Sequence, residues 1–272
     1  MKFLPRSFGR SVEKRFPNTY GLLRGSRNLL RSAWRNVPFQ RRAERELFDR
    51  GDCHCLSGPF AGMRYFNLPV WASITPKWVG TYELEIVDFI QKIIVHQPTA
   101  VVDVGCAEGY YAVGLARALP ESSVFAYDTD IFAQGMCRHL ARLNGVEKSV
   151  KVSGYLAPET WSPMENSALI LDIEGFEYEF LSSIQPQLLA NCLILVEVHQ
   201  RFQGDISQRE LSEWIADRFR SSHEIISTPS RPRCSEDMPI EIREKLSGAT
   251  PEAMMDEQRG QDMIWMFLQP KN

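Results

Sequence analysis

Apolar residues along this chain follow two alternating rhythms. Short runs built on apolar and β-branched residues, most of them apolar at nearly every position, occur at 99–104, 123–128, 149–153, 167–172, 192–197, 223–228 and 263–268. Runs of that length and composition read as strands buried on both faces. Between them, apolar residues return every three or four positions near 109–119, 131–144, 175–190 and 206–220, the spacing of helices with one buried face. A further helix with a wide apolar face covers 82–96 and leads into the first strand. Alternation at this spacing predicts an α/β fold, a doubly wound seven-stranded sheet that is mostly parallel. The last strand follows a long polar insertion, 229–262, instead of a crossover helix, so it is expected to run antiparallel. Residues 51–80 are aromatic-rich pieces broken by Gly and Pro, including Gly58-Pro-Phe-Ala-Gly-Met-Arg-Tyr65 and the start of Pro76-Lys-Trp-Val-Gly-Thr-Tyr-Glu83, and suggest a small hairpin and a loop.

Composition changes this picture little. At 272 residues, 44% apolar and 24% charged, the chain has the profile of an ordinary globular protein. It has no apolar run long enough to span a bilayer, and its basic start lacks the apolar core of a signal peptide. A cytoplasmic protein with reduced thiols is expected. Cys106, Cys137 and Cys192 fall within core elements, and Cys53-His54-Cys55 has no second cluster to complete a metal site, so no metal is expected.

Charge changes the picture more. Residues 1–50 carry 13 Lys/Arg against 4 Asp/Glu, a balance of +9, whereas the rest of the chain stands at −12. The expected division is a basic N-terminal arm at 1–50 and one domain at 51–272. Within the arm, 19–37 could form a basic amphipathic helix for peripheral contact with an anionic membrane or for docking on a partner. No nucleic-acid module accompanies it, and no nucleic acid is expected as a partner.

Chemistry concentrates after the first strand. Val101, Val102 and Val104 lead through Asp103 into a turn with Gly105, Ala107, Glu108 and Gly109, and a helix follows. Small residues let backbone approach a ligand, and the helix start offers free N–H groups. A dinucleotide fingerprint requires glycine at the sixth position, which is Tyr110 here, and the Gly-Lys-Ser/Thr ending of a phosphate loop is absent. Asp128 ends the second strand, where an acid can accept hydrogen bonds from both ribose hydroxyls. A mononucleoside is favoured, with S-adenosyl-L-methionine the obvious one.

The chain resembles class I S-adenosylmethionine-dependent methyltransferases, and more specifically the FkbM-type family of O-methyltransferases. Val102-Asp-Val-Gly-Cys-Ala-Glu-Gly-Tyr110, Ala126-Tyr-Asp128 with Leu143-Asn-Gly145, Leu171-Asp-Ile-Glu-Gly-Phe-Glu177 and Leu195-Val-Glu-Val-His199 carry the resemblance, which covers about residues 58–268. It implies a Rossmann-like fold, with Asp103 and Glu108 orienting the amino-acid end of the cofactor and Gly105, Ala107 and Gly109 lying against it. Asp128 would take the ribose, and Gly154 and Tyr155 would flank adenine.

Catalytic groups belong at the carboxyl ends of the fourth and fifth strands, where the sequence places Asp172, Glu174, Glu197 and His199. A hydroxyl acceptor gains from a nearby base, and His199 is the natural one. Glu174 and Glu197 would orient it or bind the acceptor. Glu177 and Glu179 are expected inside a helix and solvated. Trp71, Trp78 and Tyr82 could cover an acceptor or pack in the core, and 229–262 is the better lid. Asp172, Glu174, Glu197 and His199 could also form an oxygen-rich divalent-metal site, although strand-end carboxylates serve hydroxyl binding equally well. The expected function is O-methylation of a hydroxyl on a glycan, glycolipid or secondary metabolite. The alternatives are N-methylation of a small molecule and an inactive scaffold.

Overall fold

The structure is a computed structural model and describes residues 38–49, 51–67, 73–258 and 263–271. The amphipathic stretch 19–37 and Trp71 lie outside the described residues. Seven strands form one sheet: β1 (Ala100–Val104), β2 (Ser123–Tyr127), β3 (Val150–Ser153), β4 (Ser167–Leu171), β5 (Leu193–Val198), β6 (His223–Pro229) and β7 (Ile264–Pro270). Their order is β3-β2-β1-β4-β5-β7-β6. β1 to β5 pair in parallel, and β7 enters antiparallel between β5 and β6. This is the doubly wound, Rossmann-like sheet expected from the pattern, with its antiparallel last strand. Every residue of β1, β4 and β5 is buried, as two-faced coverage by helices requires.

Alternation along the strands divides the core in two. Val101, Ala168, Ile170 and Leu195 face one apolar cluster, whereas Val102, Leu169, Ile194 and Val196 face the other. The helices are α1 (38–47), α2 (Thr75–Val79), α3 (Val87–His96), α4 (Tyr110–Ala118), α5 (Ile131–Leu143), α6 (Glu177–Ser182), α7 (Gln208–Phe219), α8 (Ile240–Arg243) and α9 (Pro251–Met255). Among the described residues no helix is long and apolar enough to cross a membrane.

Three local expectations are corrected. The helix expected over 175–190 is only the short α6, followed by a separate 3₁₀ turn at Pro186–Leu189. A residue before proline is pushed out of the helical region, and Gln185 is extended at ψ 127°. The packed body does not begin at 51, because Ala43 and Leu47 of α1 are buried in the first cluster. Nor is the insertion purely a polar loop. Met238, Ile242, Met254 and Met255 enter the same cluster, and Arg233 pairs with Glu85 (2.6 Å) and Glu257 (2.5 Å) in a mostly buried triad.

Candidate active site

The strand order reverses between β1 and β4, and ligands of such sheets bind outside the carboxyl ends of the strands at that point. The turn after β1 is fixed there by backbone bonds. Gly105 N and Cys106 N both donate to Tyr127 O, at 2.8 and 3.0 Å. Gly105, Ala107 and Gly109 all have positive φ, at 90°, 47° and 95°. A Cβ on Gly105 would collide with the carbonyl oxygen of Asp172, and one on Gly109 would lie 2.7 Å from Cys137 Sγ. The two glycines are therefore required by close approach as well as by φ.

Asp128, one residue past β2, braces this turn. Its Oδ2 accepts from Ala107 N at 2.9 Å and its Oδ1 from Asp130 N at 2.8 Å. Gly154 and Tyr155 follow β3, and the Tyr155 ring is 71% exposed. Glu108 behaves otherwise than expected. Its buried side chain points into the protein, pairs with the buried Lys77 ammonium and accepts from Tyr65 Oη at 2.6 Å. Lys77 also lies 4.5 Å from the Tyr82 ring centroid. Pro76–Glu83 thus seats against the turn after β1. Trp78 is core, fully buried with its indole N–H donating to Phe66 O at 2.9 Å. Tyr110 fills the position where a dinucleotide fingerprint needs glycine, buried in edge contacts with Phe60, Tyr65 and Tyr82.

The acidic residues meet for a reason of pleating. Successive side chains alternate faces, so Asp103, Asp172 and Glu197 follow the Val101, Ile170 and Leu195 side of β1, β4 and β5. Asp103 is buried, and burial with the nearby Asp172 charge raises its pKa to about 8. The Asp172 and Glu197 carboxyls are close enough to act on one another's charge. Burial raises both: Asp172 to about 6, with partial compensation from His199, and Glu197 well above its usual range. Glu174 is exposed, in a left-handed conformation at φ 57°.

Glu177, expected to be solvated, is fully buried. Its Oε1 accepts from Ile173 N and Gly175 N, both at 3.2 Å, and lies 2.9 Å from His199 Nδ1. The other ring nitrogen, Nε2, lies 3.9 Å from Asp172 Oδ1. Although burial opposes the charged ring, the Glu177 hydrogen bond and the Asp172 and Glu174 charges raise the His199 pKa to about 9. Glu179 pairs with Arg201 at 2.7 Å. Asp172, Glu177 and His199 offer atoms within 4.8 Å of one another, a spacing compatible with a cation. The imidazole, however, turns one nitrogen to each carboxylate, and that arrangement suits a held proton. Beside the cluster, the partly exposed rings of Phe176 and Phe202 stack at 4.7 Å and 23°.

No protein-family model matches the chain, and no curated protein matches it. Solved structures do align with it, all at low identity. Cofactor-bound Rv0187 from MTB is 12% identical with a TM-score of 0.48, covering 70% of this chain and 81% of its own. An O-methyltransferase from Bacillus cereus in complex with SAH is 13% identical with a TM-score of 0.43, covering 66% and 79%. The SAH-bound Podospora anserina methyltransferase PaMTH1 is 14% identical with a TM-score of 0.45, covering 70% and 79%.

Proposed function

We propose that this protein is an S-adenosylmethionine-dependent methyltransferase acting on a hydroxyl of a small molecule or glycan, of the FkbM type that its motifs resemble. One observation carries the reading: a positive-φ turn after β1, at the switch point, is braced by the Asp128 carboxylate. Asp128, one residue past β2, would take the two ribose hydroxyls. Ala107 and Gly109 give backbone access for the amino-acid end, and the exposed Tyr155 ring offers a stacking face for adenine. Tyr110 stands where the dinucleotide fingerprint has its last glycine, which disfavours a dinucleotide.

When bound, the cofactor supplies a methyl group already activated on a sulfonium. The chain then has to orient an acceptor and manage its proton. Asp172, Glu197 and His199 line the acceptor side, and the Phe176–Phe202 pair supplies an apolar shelf suited to the flat face of a sugar or ring. N-methylation would use the same cofactor half. The cluster's need for a proton acceptor favours oxygen, because a hydroxyl must lose its proton in the transfer.

Calorimetry with S-adenosylhomocysteine tests the cofactor assignment. The full chain should bind it, and Asp128→Ala should weaken binding by tenfold or more, about 1.5–3 kcal/mol for hydrogen bonds to a charged group. Equal affinity in both proteins would sink the assignment.

A further inference from the structure

We propose that Glu177 is a positioning residue that holds His199 as an imidazolium, leaving Asp172 as the group that takes the acceptor's proton. The inference rests on the methyltransferase reading only for the identity of the acceptor; the charge state of His199 is a property of the chain itself.

The geometry comes first. Glu177 is fully buried, and its Oε1 gathers the backbone N–H groups of Ile173 and Gly175 as well as the His199 ring nitrogen. Hydrogen bonds from three donors favour the ionised carboxylate. A buried carboxylate needs a compensating charge, and the side chain it meets is His199. The second ring nitrogen faces another carboxylate, Asp172, and the exposed Glu174 adds negative charge from the same loop. The nearby cation, Arg201, pairs with Glu179 and Asp205. From every side, then, the groups facing the ring favour its protonated form.

An imidazolium has two N–H donors and no lone pair, so it cannot accept a proton. It can still fix a neighbouring carboxylate and stabilise that carboxylate's charge. Asp172 is that neighbour. Its side chain is 32% exposed, so it reaches the crevice. Glu197, buried beside it, is pushed well above the usual carboxylate range by burial and by the Asp172 charge. With the imidazolium next to it to stabilise its charge, Asp172 is the carboxylate able to accept a proton. In the transfer the acceptor's hydroxyl proton passes to Asp172, and the O–H bonding pair stays on the oxygen that is methylated. The long-expected base of such a cluster, the histidine, acts here by setting the charge of the aspartate.

Nuclear magnetic resonance of the full ligand-free chain tests this without any acceptor. His199 ring nitrogens and the Asp172 carboxyl carbon are followed from pH 4 to 10, with assignment by His199→Gln and Asp172→Asn. In the wild type, Asp172 should ionise before His199 loses its proton. In Glu177→Gln the His199 midpoint should fall by at least one pH unit, about 1.4 kcal/mol, with Glu177→Asp in between. A wild-type His199 that is neutral at pH 7, or a midpoint unmoved in folded Glu177→Gln, would overturn the proposal. If Glu177→Gln does not fold, the order of the two wild-type midpoints decides. Loss of S-adenosylhomocysteine binding would strike the methyltransferase reading instead, and the midpoints would still report on His199.

Discussion

The two halves of the crevice are built on opposite electrostatic plans. Around the turn after β1, acids meet donors: Asp128 meets two backbone N–H groups, and Glu108 meets the Lys77 ammonium and the Tyr65 hydroxyl. At the ends of β4 and β5, acids meet acids. Asp172 lies beside Glu197, Glu174 stands nearby, and His199 faces both Asp172 and Glu177. The first plan fixes a shape before any ligand arrives. The second stores a population of protons whose distribution depends on pH and on what binds. Under the function proposed above the contrast has a reason: positioning requires satisfied groups, whereas proton transfer requires groups poised near their midpoints.

The strongest way to break the contrast is to damage the satisfied half. Lys77→Met should leave the Glu108 carboxylate buried without its cation and cost about 3–5 kcal/mol. Chemical denaturation measures it, and Lys77→Met with Glu108→Gln should recover much of the loss. A cost below about 1 kcal/mol for the single change would mean that the pair is not the brace of the turn.

A pH series reads the other half. His199 titrates near 6.5 when unfolded and at about 9 when folded, so its contribution to stability is complete below pH 6.5 and is lost as pH rises through 9. Asp103, raised from 3.8 to about 8, and Asp172, raised to about 6, have the same sign, since the native state binds protons the unfolded chain has released. Stability should therefore decline from mildly acidic to basic pH, by up to about 1.4 kcal/mol per pH unit for each proton held only in the native state. Thermal melts between pH 5 and 9 check it, and His199→Gln should flatten the part between 8 and 9. A melting point that rises across that range would refute the crowded-acid description.

The smallest effect sharpens the first half. Ala107 sits in the left-handed region at φ 47°, a strain that glycine relieves. Ala107→Gly should stabilise the protein by no more than about 1 kcal/mol, because glycine also adds freedom to the unfolded chain. A change of several kcal/mol in either direction would show that the methyl group packs against something essential.

This asymmetry also explains what could be read from the sequence. The sheet, its antiparallel last strand and the turn at 103–109 are local patterns, written in runs of valine and in glycines a few residues apart. Asp172, Glu197 and His199 were visible because strand ends are predictable positions. Glu177 was not. From sequence it is one more acid at a helix start, and only the pairing of the loops after β4 and β5 buries it against His199. Lys77 was hidden in the same way, by 31 residues of separation from Glu108. Its sequence neighbourhood was conspicuous for aromatics, one of which, Trp78, turned out to be core.

Gly175 has one more consequence. Its carbonyl accepts from Phe202 N at 2.7 Å, and a Cβ on it would stand 2.6 Å from Gln200 O. The segments 172–177 and 199–204 are thus stitched together like two halves of one seam. In any exchange of loops on this scaffold, neither segment is a separate module. The unit of exchange is the pair, and a chimaera that imports one side alone would bring mismatched stitching beside Asp172, Glu177 and His199.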